Sequence, residues 1–322
     1  MGKLESMPVS PMRPAYGKAL VKLGHANPDV VALSADVSNS DFSYQFAEAF
    51  PDRFFNVGIA EQCLVDVAAG LAYGGKIPFA NTFAFLFATR ALDMVRTHLC
   101  YGKANVKLMA AYAGLSDSFD GPTHNSITDV AIMRTLPNMT VVVPGDCIAV
   151  DKLLPQVAAW PGPVYFRMNR NEVPDLFDAA AAARYAPEIG KAIPLRAGGD
   201  VTLICNGMMV SRCLVAAETL AEEGISAAVL EMHTVKPLDT EAILRAARET
   251  GALVTAEEHS ILGGLGGAVA EVVTDSYPVP LKRVGVLDRF TETGPYHAIL
   301  DRYGMSVAHV VAATRAAVAL KR

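Results

Sequence analysis

The sequence reads as an α/β chain built from two doubly wound parallel-sheet domains, and three observations carry that reading. β-rich apolar runs alternate with helical patterns almost throughout, and continuous apolar strands separated by helices imply a parallel sheet covered on both faces. The alternation breaks once, between Asp178 and Gly199, where an alanine run, two prolines and Gly198-Gly199 leave no clear periodicity. At 322 residues the chain also exceeds what one hydrophobic core organises, since single cores stop growing near about 250–300 residues. The domains are expected at 1–190 and 191–322.

In chain order, strands are expected at 30–34, a short one at 54–57, then 77–80, 106–111, 140–143 and 163–167, because each is an apolar or β-branched run. Helical patterns fill the intervals at about 60–73, 88–101, 124–135 and 147–160. The second half repeats the architecture without repeating the sequence: strands near 201–205, 227–231, 252–255 and 283–286, helices near 210–223, 239–250, 266–275 and 306–319.

Composition narrows the function. Apolar residues make up 52% and charged ones 19%, ample for buried cores and large interfaces. A formal net charge of -5 offers no basic footprint for nucleic acid or anionic membranes. No apolar run reaches the roughly 18 residues of a membrane span, and the N-terminus reads without a signal peptide. The five cysteines are odd in number and scattered, with no C-x-x-C, and the seven histidines show no metal-ligand spacing. That pattern predicts reduced thiols in a cytoplasmic protein with no metal ligands of its own.

In open parallel sheets, ligands bind beyond the carboxyl ends of the strands, and the distinctive polar residues of the first half cluster there. Ser34-Ala35-Asp36 follows the first strand, Glu61 the short second one, the run Asn81 to Phe87 the third, and Asp117 to His124 the fourth. Glu61 stands between an apolar run and a small-residue helix, so its carboxyl group is expected to be poorly solvated, which favours sharing a proton with a neutral nitrogen base.

With these motifs assembled, the first half resembles the pyrimidine-binding domain of transketolases and the second half their C-terminal domain. The match is carried by Ser34-Ala35-Asp36, Gly58-Ile59-Ala60-Glu61-Gln62, Thr82-Phe83 and Asp120-Gly121-Pro122-Thr123-His124, with Arg13 upstream and Arg170 downstream. In the second half it is carried by Glu257-Glu258-His259 and Gly263 to Gly267.

The resemblance implies thiamine diphosphate as cofactor. Glu61 would be the carboxylate at N1′ of the aminopyrimidine, which the carboxylate pushes toward the tautomer able to deprotonate thiazolium C2. Phe83 and Phe87 would form the aromatic wall for that ring, with Phe85 as an alternate. Asp36 would line the donor or cofactor pocket. Period-two spacing also allows Phe83, Phe85 and Phe87 to be one face of a buried strand. Asp120 and His124 would contact the sugar hydroxyls and the reacting carbon, and Arg13, Ser40 and Arg170 would grip a terminal phosphate, a task that suits the planar guanidinium fork. Arg167 lies close enough in sequence to compete with Arg170.

Two departures and one absence refine the expectation. Tyr112 stands where the family carries a histidine near the phosphate site, and Phe119 replaces an acidic residue before Asp120, which implies a substrate outside the standard pentose phosphates. The Gly-Asp-Gly motif through which these enzymes hold Mg²⁺ and the diphosphate is missing; the nearest strings are Gly145-Asp146-Cys147 and Gly199-Asp200-Val201. The implied arrangement is a split enzyme, with a complementary subunit supplying the diphosphate and metal half and an α2β2 assembly joining the two. The competing readings are the β subunit of a 2-oxoacid dehydrogenase E1, a fragment of a 1-deoxyxylulose-phosphate synthase, and a non-catalytic regulatory subunit.

Overall fold

In the computed structural model of the chain, which describes residues 2–321, fourteen strands form three sheets. In chain order they are β1 Val9–Pro11, β2 Val30–Ser34, β3 Phe54–Asn56, β4 Ile77–Phe83, β5 Lys107–Ala111, β6 Thr140–Val142, β7 Val164–Arg167, β8 Glu172–Pro174, β9 Ile193–Arg196, β10 Val201–Cys205, β11 Ala227–Glu231, β12 Thr234–Lys236, β13 Leu253–Ser260 and β14 Leu281–Val286. The first large sheet runs β12-β6-β7-β5-β4-β2-β3 and is parallel except for β12. The second runs β14-β13-β10-β11-β9, parallel except for β9. β1 and β8 pair as a small antiparallel ribbon.

Continuous apolar strands are what a sheet covered on both faces requires, and residue parity shows the covering. Along β2, Val30 and Ala32 enter one core while Val31 and Leu33 enter the other; along β5, Met109 and Ala111 oppose Leu108 and Ala110. The first core is filled by the helices Met12–Ala26 and Cys147–Ala159 through Tyr16, Leu20, Leu153 and Leu154, and it runs on into Val201, Leu203 and Cys205 of the second half. The second core is closed by the helix Glu61–Tyr73 through Leu64, Val65 and Ala68. No helix among the described residues is long and apolar enough to cross a membrane.

Four local expectations change. The stretch expected to be an irregular connection holds the helix Ala179–Arg184, started by the Asp178 carboxylate accepting from Ala181 N–H, and then the edge strand β9. The helix expected at 88–101 is broken into Ala84–Ala88, Leu92–Met94 and a π-helical stretch Val95–Tyr101. The helix expected from 124 begins at Asp129, because Gly121–Thr123 forms a 3-10 turn first. β12, from the second half of the sequence, adds to the edge of the first sheet, so the two halves are stitched together by main-chain hydrogen bonds.

Candidate functional site

The polar strand ends lie side by side, because β3, β2, β4 and β5 are parallel neighbours in the sheet. At the end of β2, Ser34 Oγ accepts from Val37 N–H, which turns the chain. Asp36 then sits in the left-handed region at φ 64°. Its carboxylate accepts from Asn56 Nδ2 at 2.8 Å, and Asn56 Oδ1 accepts from Gly58 N–H at 3.0 Å, tying the β2 end to the start of the Glu61 segment.

Glu61 is in the first turn of its helix, where the dipole favours a carboxylate, and its side chain is 2% exposed. Oε2 accepts from Arg90 Nη1 at 2.9 Å, and among the described residues nothing donates to Oε1. Arg90 is a site residue that sequence reading missed. Its signal was slight: one cation inside the small and apolar run from Phe83 to Leu92.

A second group of side chains gathers around Tyr112. The Arg13 guanidinium lies 5.0 Å from the ring centre and that of Arg170 4.9 Å, so two cations face one phenol ring. Arg13 Nη1 donates to the Tyr112 hydroxyl at 3.0 Å and to the Ser40 carbonyl, and its Nε donates to the Arg170 carbonyl at 2.9 Å. Ser40 thus takes part through its backbone oxygen. Tyr112 holds this position at φ 60°, an unfavourable conformation for a bulky residue, of the kind concentrated at functional sites. Arg170 Nη1 is paired with Asp117 and lies 3.5 Å from Asp120.

The aromatic wall is contiguous with this group. Phe83 stacks on Tyr112 with ring centres 4.4 Å apart, and His124 lies 6.4 Å from Phe83 and 5.0 Å from Phe85. Thr123 Oγ1 and His124 Nδ1 are 2.9 Å apart. Phe83 closes β4, but Phe85 and Phe87 belong to the helix Ala84–Ala88, so the three do not alternate along one strand. Phe87 is fully buried in the second core, whereas Phe83 and Phe85 are half-buried.

Arg13, Ser40, Tyr112, Phe83, Phe85, Asp120, His124 and Arg170 are therefore brought together. No hydrogen bond or ring contact among the described residues joins Asp36 or Glu61 to that group; they stand at the two neighbouring strand ends. Of the two arginines close in sequence, Arg170 faces the Tyr112 ring, while Arg167 is buried and donates to Asp129 and to the carbonyls of Ser126 and Glu258.

The second half buttresses this site. Gly294 N–H donates to the Ser118 carbonyl at 3.0 Å, and Asn125 Nδ2 donates to Thr291 at 2.6 Å, pinning the loop that carries Asp117, Asp120 and His124. Gly121 takes φ 78° there, and a Cβ would lie 2.3 Å from Thr293 Oγ1, so only glycine fits. Glu258 accepts from Leu115 N–H at 2.8 Å, and burial pushes its carboxyl up to about 7, Arg167 opposing. Glu257 accepts from Leu265 and Gly266 N–H and so anchors the helix Leu265–Ser276. Among the described residues, no group of three or more His, Cys, Asp or Glu is arranged to hold a metal ion.

Comparison with known proteins agrees with this geometry. The transketolase pyrimidine-binding domain family matches residues 10–175, and the transketolase C-terminal domain family matches residues 190–310. The chain is 41% identical over 307 residues to the 6-deoxy-6-sulfo-D-fructose transketolase subunit of Clostridium sp. (strain MSTE9), covering 94% of this chain and 92% of that protein. It is 38% identical over 293 residues to an apulose-4-phosphate transketolase subunit of Phocaeicola vulgatus (strain ATCC 8482), covering 91% and 93%. A solved structure described as a split gene transketolase, inactive beta4 tetramer, superposes with a TM-score of 0.90 at 48% identity over 97% of this chain and 99% of that one. The chain belongs to the transketolase family, as a transketolase-type transferase subunit that carries the pyrimidine-binding and C-terminal domains.

Proposed function

We propose that this chain supplies the pyrimidine half of a thiamine-diphosphate site that transfers a two-carbon ketol unit between sugars with a terminal anion. The observation that carries the proposal is the state of Glu61: buried, with one oxygen held by Arg90 and the other without a partner. Such a carboxyl group fits a neutral heteroaromatic nitrogen with which it can share a proton. The half-buried ring of Phe83, at the end of β4, offers a flat face for that heterocycle, with Phe85 as a further ring. When bound, the cofactor supplies a nucleophilic carbon for the donor ketose. The chain's own residues do the rest: Glu61 holds a proton at N1′, Asp36 lines the pocket next to it, and Asp120 and His124 orient sugar hydroxyls and relay protons at the reacting carbon. Arg13 and Arg170, both at the Tyr112 ring, hold the far anion.

The diphosphate and its Mg²⁺ fall to a complementary subunit, since the sequence lacks the Gly-Asp-Gly string. The relatives' names support both parts of this reading, because each describes a subunit and each substrate carries a sulfo or phosphate group. The solved relative's inactive beta4 assembly supports self-association without turnover when the partner is missing. A dehydrogenase β subunit is not favoured, because nothing in an acyl-transfer reading uses the two arginines stacked on Tyr112.

The test compares the purified chain with the chain co-expressed with a Gly-Asp-Gly-bearing partner. The chain alone should self-associate, bind thiamine diphosphate weakly and show no ketol transfer, whereas the pair should form an α2β2 assembly that turns over. Mg²⁺-dependent turnover by the chain alone refutes the division of labour.

A further inference from the structure

We propose that Asp117 is a specificity-determining residue, set behind Arg170 so that the site prefers a singly charged terminal group, a sulfonate, over a doubly charged phosphate monoester. The inference rests on the placement of the substrate's terminal anion at Arg13 and Arg170 and specifies which anion that is.

Asp117 is fully buried and is the nearest counter-ion of Arg170, and its Oδ2 is buried with no hydrogen-bond partner among the described residues. An ionisable side chain in that position is expensive, so packing alone does not account for it. Burial and the neighbouring Asp120 push its carboxyl up to about 6, with Arg170 opposing, which leaves it ionised in mildly alkaline solution. Asp120 adds a second carboxylate 3.5 Å from the same guanidinium nitrogen.

Arg13, the other cation at the Tyr112 ring, is influenced by a carboxylate that it does not pair with directly. Asp41 acts on it electrostatically, is fully buried, and also has an unpartnered Oδ2. Asp117 and Asp120 thus offset the charge of Arg170, Asp41 acts on Arg13 from farther off, and Tyr112 places a phenol hydroxyl where a third cation would stand. Repulsion from a fixed carboxylate grows in proportion to the charge of the ligand, so the compensation penalises a dianion about twice as much as a monoanion. Tetrahedral geometry and three oxygen acceptors are common to both groups, so the guanidinium hydrogen bonds do not themselves separate them.

The experiment measures binding of 6-deoxy-6-sulfofructose and of fructose 6-phosphate by calorimetry to the complete pair at pH 8 and constant ionic strength, where the phosphate is dianionic. Wild type should bind the sulfonate more tightly. Asp117→Asn and Asp117→Ser, two neutral replacements of different size, should each shift the ratio of the two Kd values toward the phosphate by about ten- to a hundredfold, while Asp117→Glu keeps the wild-type ratio. With turnover as readout, the shift should appear in KM and not in kcat. A ratio unchanged in both neutral variants, or a wild-type preference for the phosphate, overturns the inference. Because binding is read separately, discrimination without ketol transfer counts against the proposed function alone, and ketol transfer with a ratio insensitive to residue 117 counts against this inference alone.

Discussion

Replacing Glu61 by glutamine probes the proposed chemistry with little change of shape, and the structure fixes how the amide would sit. Arg90 Nη1 is an obligate donor 2.9 Å from Oε2, so the amide oxygen of the new side chain must turn to Arg90 and its NH2 takes the place of the unpartnered Oε1. An NH2 facing a ring nitrogen donates a hydrogen bond but has no proton to exchange, so the fold and the cofactor's seat survive while the acid–base step is lost. General acid–base contributions are typically about 10²–10⁴-fold, or roughly 3–5 kcal/mol at 1.36 kcal/mol per decade. The stability change is much smaller. The hydrogen bond from Arg90 persists with a neutral acceptor, and the Arg90 side chain is 48% exposed, so screening holds the loss to about 1 kcal/mol or less. The assay follows hydrogen–deuterium exchange at cofactor C2 in the assembled pair, together with turnover and the melting temperature. Exchange and turnover should fall in parallel by two to four decades, roughly, with melting displaced by only about 1–3 °C. Wild-type exchange at C2 in the glutamine variant would refute the assignment of Glu61 and move the activating role elsewhere.

The anion grip and one buried acid give two further expectations. Arg13→Ala should raise KM for anionic sugars about ten- to a hundredfold, the worth of a charge-assisted hydrogen bond, and Tyr112→His should shift preference toward ordinary pentose phosphates; unchanged substrate kinetics in both would remove the anion from this cluster. Glu231 is buried near Asp146 and Tyr185, and burial, then Asp146, pushes its carboxyl up to about 8. From about pH 4.3 to 8 the folded chain holds a proton there that the unfolded chain has released, so the group's contribution is full below the unfolded value and falls as pH rises through the folded one. Glu231→Gln should remove that slope, stabilising the chain at pH 9 by on the order of a few kcal/mol relative to pH 5, and equal melting shifts at the two pH values would exclude it.

How far such residues could be read from the sequence depended on what carried the signal. β2, β5, β10 and β11 were legible because a strand buried on both faces leaves a nearly continuous apolar run. β9 and β12 were not, since each is a short antiparallel edge strand whose identity comes from its partner across the sheet and leaves no periodicity of its own. The strand reading of 252–255 stopped short of β13, which continues through Glu257, Glu258 and His259; charged residues read as a strand end unless their buried partners are known. The same distinction runs through the site. Glu61 drew notice as an acid at a strand end, and Asp120, His124 and the arginines drew notice because they fall in motifs that resemble those of the family. Arg90, Asp117 and Asp41 could not, since their part is defined by another side chain: Arg90 by the Glu61 oxygen it occupies, Asp117 by the Arg170 charge it offsets, Asp41 by its electrostatic pull on Arg13. Groups that touch a ligand are constrained by chemistry and leave a motif, whereas groups that set the charge around them are constrained by three-dimensional neighbours. Differences of substrate within one architecture are therefore to be sought in the second kind, behind the arginines that relatives of different substrate would share.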